Sequence, residues 1–137
     1  MSKEAHLNDQ RGTHHGTLIT HTAAGAGTVN GPIFPTSAGL GMLVFIRTTA
    51  ITGTSPTLTV TVRGLIDGEA TDSYVILASA AITANGLVVL RIYPGLTAAA
   101  NLTASDVVPS HCRIDTVIGG TGPAVTATVS AYSLTAG

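Results

Sequence analysis

Four of the five histidines, His6, His14, His15 and His21, fall within the first 21 residues of this 137-residue chain. Neutral imidazoles bind transition metals, and four near one another could close a site. Their spacing is not that of a zinc finger and no cysteine accompanies them, so polar contacts with a neighbouring subunit are preferred to a metal, and no cofactor is expected. A second set is acidic: Asp67, Glu69 and Asp72 crowd one short segment. Three carboxylates can hold calcium, but this spacing departs from the ligand series of an EF-hand loop, and a solvated hairpin tip is the simpler reading. A third set, Ser110-His111-Cys112 with Asp115, contains the residue types of nucleophilic catalysis. Adjacent strand residues point to opposite faces, which separates His111 from Cys112. No catalytic residue is assigned, and the chain is read as non-enzymatic.

Weaker motifs add little. The glycine-rich run around Gly25 and Gly27 lacks the lysine and the following helix of a phosphate-binding loop, and reads as a linker. Asn101-Leu102-Thr103 matches a glycosylation sequon. However, Met1 to His6 carries an acid and a histidine where a secretory signal would begin its apolar stretch, so synthesis in a cytoplasm is expected. With no Trp, three Tyr and two Phe, aromatics that would stack sugars or bases are scarce. Tyr74, Tyr93 and Tyr132 are read as strand residues at a sheet margin.

Composition narrows the class further. Six Lys and Arg against seven Asp and Glu leave a net charge of -1, too little for a basic face that grips nucleic acid or an anionic membrane. Mean hydropathy is +0.44, yet no apolar run approaches the roughly 20 residues of a spanning helix. One cysteine, Cys112, rules out an internal disulfide. Charged residues make up only 9% of the chain, where about 25% is usual, so surface covered by other subunits is expected.

The elements that would position these groups are strands. Residues 1–39 hold few large apolar residues and are punctuated by Gly and Pro, which predicts an extended arm and linker with little core of its own. Within it, Thr17 to Thr20 reads as a short strand, and Pro32 and Pro35 favour extended backbone around Ile33 and Phe34. From Leu40 onward, β-branched runs separated by turn residues predict an all-β body over 40–137. Leu40 to Thr49 and Thr57 to Arg63, joined through Gly53 and Pro56, are expected to form a hairpin, with Leu58, Val60 and Val62 on one face. A second hairpin is expected between Ser73–Ile82 and Leu87–Tyr93, because Asn85-Gly86 suits a turn with positive φ. Residues 96–106 read as a helical turn or an ordered loop. Cys112 to Ile118 and Val125 to Leu134 flank a further glycine turn, and all six prolines are placed in linkers or at run boundaries. About six such strands predict an antiparallel β-sandwich or jelly-roll-like body.

From Thr52 to Leu134 the chain resembles a group of small structural proteins of tailed-bacteriophage virions. The segments that carry the resemblance are Thr52 to Val62, Ile76 to Ile82, Val89 to Asn101 and Asp106 to Pro109, followed by the strand, glycine turn and strand of the carboxyl end. The chain departs from the group at Ser110-His111-Cys112, where members tend to carry a basic and an aromatic residue, and in the arm, which has no counterpart. The resemblance implies a virion component, most plausibly a capsid decoration or cement protein on the outer surface of the phage head. Its partner would be the major capsid protein, and it would form a homo-oligomer, with a trimer favoured. Arm contacts to the shell or a neighbouring subunit are expected at Leu18, Ile19, Ile33 and Phe34. A tail or head-to-tail protein is the rival within the class; an adhesin-like carbohydrate-binding sandwich, and behind it a small β enzyme, come from outside it.

Overall fold

The computed structural model of the protein describes residues 12–36, 41–66 and 72–134. Seven strands form a single, mixed sheet: β1 (Gly12–Ala24), β2 (Gly27–Pro35), β3 (Gly41–Leu65), β4 (Ser73–Ala78), β5 (Gly86–Ile92), β6 (Thr103–Ala104) and β7 (His111–Leu134). No α-helix forms among the described residues. The all-β expectation therefore holds.

Two strands dominate. β3 has 25 residues and β7 has 24, and they pair antiparallel from Gly41↔Leu134 to Gly64↔Cys112. On the outer side of β7, β1 pairs along its carboxyl half and β2 along its amino half. On the far side of β3, β5 takes the amino half and β4 the carboxyl half. β6 adds two residues parallel to β5.

The expected hairpin between residues 40–49 and 57–63 does not form, since both runs belong to β3 and pair in turn with β7. Turn residues bend the strand instead of reversing it. Gly53 and Ser55 take φ of 123° and 49°, and Gly120 and Gly122 take 111° and 57° at the facing point of β7. A methyl group on Gly53 would come within 2.8 Å of the Gly122 carbonyl, so the two strands pass too closely there for a side chain. Pro56 and Pro123 lie inside β3 and β7 at this irregular stretch and Pro32 lies inside β2, whereas linkers or run boundaries are expected; Pro35 ends β2.

The hairpin expected around Asn85-Gly86 is also absent. β4 and β5 each pair with β3, and the connection crosses from one half of β3 to the other, touching it through the Leu58↔Ile82 bridge. A two-residue type I′ turn needs positive φ at both central positions. Gly86 has it at 151°, but Asn85 is not among the non-glycine residues with positive φ. Residues 96–106 form turns and β6 with no helix.

The sheet doubles back on itself. Straight strands of 24 or 25 residues would span about 80 Å, roughly twice the diameter of a compact chain of this size. Contacts between partners of distant β7 residues give the fold-back directly. The His15 ring lies 4.9 Å from that of Phe34, although His15 sits beside Tyr132 and Phe34 pairs with Cys112. His21 Nε2 is 2.8 Å from Thr116 Oγ1. One core results, with Met42, Val44, Ile46, Leu90 and Val129 from one half meeting Leu58, Val60, Val62 and Ile114 from the other, all fully buried. The alternation of Leu58, Val60 and Val62 points inward as the sequence implies.

Residues 12–36 differ from the expected arm. They lie along β7 as two sheet strands, with Ile19 and Phe34 each 5% exposed inside the core. Thr36 fastens the end of β2: its N–H donates to the Ser110 carbonyl at 2.9 Å and its hydroxyl to the Pro109 carbonyl at 2.5 Å. The physical reason is register. Few large apolar residues suffice when two of them, Ile19 and Phe34, fall on the inward faces of their strands, while Val29 and Ile33 stay exposed.

Candidate functional site

The catalytic residue types do not converge. Cys112 is fully buried, and burial pushes its thiol up to about 12, so it stays protonated and unreactive. Ser110 Oγ lies 3.2 Å from His111 Nδ1 at an exposed position, while Cys112 turns inward between them and Arg113. Asp115 is bound to arginines rather than to a histidine.

The histidines disperse as well. His14 is exposed beside Tyr132, with ring centroids 6.2 Å apart. His15 Nε2 lies 2.6 Å from Ser133 Oγ, and His21 is buried against Thr116. Burial holds both His15 and His21 below the usual imidazole value, and for His15 the neighbouring His14 pushes the same way. His6, Asp67 and Glu69 lie outside the described residues, and Asp72 is exposed. Among the described residues no group of three or more His, Cys, Asp or Glu could hold a metal ion.

Among the described residues the densest charge cluster is Arg63, Arg113 and Asp115. Arg63 on β3 sits directly opposite Arg113 on β7, an arrangement that repels. Asp115, two residues along the same face of β7, answers both. Arg113 Nε and Nη2 donate to Asp115 Oδ1 and Oδ2 at 2.8 and 3.0 Å, a bidentate pair. Arg63 Nε lies 3.0 Å from Oδ2 without hydrogen-bond geometry, so this contact is coulombic; Arg63 Nη1 donates instead to Ser73 Oγ at 3.3 Å. With only 10% of its side chain exposed, Asp115 ties β7 to β3, and Arg63 extends the link to β4 through Ser73.

Of the four contact residues expected from sequence, Ile19 and Phe34 are enclosed by their own chain, Leu18 is half-buried against the core and Ile33 is 41% exposed. A second surface is the outward face of β1, β7, β3 and β5. Inward positions Met42, Val44 and Ile46 are fully buried, so Leu43, Phe45 and Arg47 point out. The register sets three cross-strand rows on this face: His14, Tyr132, Leu43 and Arg91; Thr17, Ser130, Phe45 and Val89; Thr20, Thr128, Arg47 and Leu87. Leu43, Phe45, Val89 and Tyr132 are half-buried and Leu87 is 50% exposed. Among the described residues the charges on this face are the exposed Arg47 and Arg91. The continuous apolar run from Leu40 to Ile46 reads in sequence as a strand buried on both sides, which hides an outward face.

A cleft of ≈ 390 Å³ opens between residues 80–84, Val88 and residues 100–102. Asn101, at φ 64°, closes one wall by donating from Nδ2 to the Ala78 carbonyl at 3.0 Å. No titratable group lines the cleft, so it offers shape without acid, base or nucleophile. No family model matches the chain, and neither the curated proteins nor the solved structures hold a match to it.

Proposed function

We propose that the chain is a non-enzymatic virion structural protein: a decoration or cement protein that seats on the outer surface of a tailed-phage head and reinforces the shell. The observation that carries this reading is the outward sheet face around Phe45, where half-buried Leu43, Phe45, Val89 and Tyr132 and exposed Leu87 stand together, marked by Arg47 and Arg91. Such a face is stable in water only at a cost that a partner surface removes. The low charge agrees, since the described residues hold four Arg and three Asp, and one Asp is enclosed by two of those Arg.

The finer architecture we propose is a jelly-roll-like sandwich. The halves of β3 and β7 divide the ladder into two four-strand groups: β1, β7, β3 and β5 in one, β2, β7, β3 and β4 in the other. Chain segments pass back and forth between the groups, as when one long hairpin is folded across itself. Sandwiches of this kind serve many functions, so the topology favours no chemistry by itself. A cyclic homo-oligomer, a trimer by preference, sitting on the major capsid protein would repeat the contact across a symmetric lattice.

The test is to locate the protein in an electron-microscopy map of the intact particle. Density spread over the head shell is expected. Density confined to the tail would replace this reading with that of a tail or head-to-tail component.

A further inference from the structure

We infer that the outward face of β1, β7, β3 and β5 docks a protein surface that presents two carboxylates, one for each of two arginines whose backbone positions lie about 14 Å apart, with an apolar side chain between them. The inference rests on the shell-binding reading and names the chemistry of the partner. Arg91 lies opposite Leu43 at one end of the face and Arg47 opposite Leu87 at the other, with Phe45 paired to Val89 in the row between. Four residues along the strands at about 3.4 Å each, plus one strand spacing of about 4.8 Å, set that separation.

Charge decides the occupant. The face carries two guanidinium groups and His14, and no Asp or Glu among its described residues. A second copy docked through the same face would bring arginine against arginine, so self-association here is disfavoured. Two arginines so far apart fall well short of the phosphate contacts a nucleic-acid groove needs. An acidic protein surface with an apolar centre satisfies both arginines and covers Leu43, Phe45, Val89 and Tyr132. The column of Thr17, Thr20, Thr128 and Ser130 on β1 and β7 supplies a polar margin to that patch.

Because the arginines stand further apart than a Debye length of about 8 Å at physiological salt, they act as independent contacts. The full-length protein and its Arg47→Glu, Arg91→Glu and double variants would be titrated onto phage heads that lack this protein. Each single reversal is expected to weaken binding about tenfold and the pair about a hundredfold, with melting temperatures unchanged. Leu87→Ser, which keeps the charges, is expected to weaken binding as well, and raising the salt is expected to weaken the wild type. A double variant that binds heads like the wild type overturns the inference and leaves shell binding standing. A wild-type protein that leaves the heads bare overturns both. If the reversals change the oligomeric state of the free protein, or abolish binding to vesicles of phosphatidylcholine and phosphatidylserine, while head affinity is unaltered, the face belongs to another partner and the inference falls.

Discussion

Replacing Asp115 with Asn removes one charge and little volume from between two arginines that face each other across the β3–β7 ladder. Both guanidinium groups lie within 3.0 Å of the carboxylate, which places them roughly 5–6 Å apart. At an effective dielectric of about 20, their mutual repulsion is then of the order of 3 kcal/mol, and Asp115 offsets it. Arg63 keeps 32% of its side chain in solvent, so water screens part of that repulsion in the variant. The expected loss is about 2–3 kcal/mol, below the roughly 3–5 kcal/mol of a fully enclosed pair that loses one partner. For a chain of this length that lowers the melting temperature by about 7–10 °C. Calorimetry of wild type, Asp115→Asn, Arg63→Met and the double variant closes a cycle. In the Arg63→Met background, Asp115→Asn should cost about 1 kcal/mol less, because one repelling charge is already gone. A cost below about 0.5 kcal/mol, or the same cost in both backgrounds, would refute the idea that Asp115 holds the two arginines together.

Two further outcomes follow from the placement of residues 12–36. Burial lowers the imidazole pKa of His15 and His21, so the unfolded chain binds more protons as pH falls through about 6.5, while above that value the stability is fully present. Thermal melts should therefore show a lower midpoint at pH 5.5 than at pH 7.5, and His21→Gln should flatten that slope; a midpoint insensitive to this pH range would contradict the buried placement. Phe34→Ala should cost about 3 kcal/mol or more in urea unfolding, because Phe34 is 5% exposed against His15 and the core, whereas a detached arm would make the change neutral.

Strand identity was largely legible in the residues. The alternation in Thr57 to Arg63 and in Val125 to Leu134 states which side chains face inward, and the buried Leu58, Val60, Val62, Val125, Ala127, Val129 and Ala131 follow it. Pairing was not legible. Gly53, Gly120 and Gly122 with positive φ carry the same local signal whether a chain reverses into a hairpin or bends and continues. Asn85-Gly86 misled for a related reason: a turn signal states that the chain changes direction, and the partner of the next strand depends on which edge of β3 is open.

The outward face around Phe45 was hidden by the same limit. Leu43, Phe45 and Val89 have the composition of a strand covered on both sides, and only the register that aligns them with Arg47, Arg91 and Tyr132 turns them into one outward surface. Conversely, the sparse apolar residues of residues 12–36 suggested a separate arm, yet Ile19 and Phe34 each meet the core because β7 offers both of its halves as a template. Composition and period-two alternation determined that the chain is all-β and low in charge, since those properties reside in neighbouring residues. Only the tertiary structure decided which strands pair, which side chains share the outward face and which carboxylate stands between two arginines, because residues far apart in sequence meet only when β3 and β7 fold back on themselves.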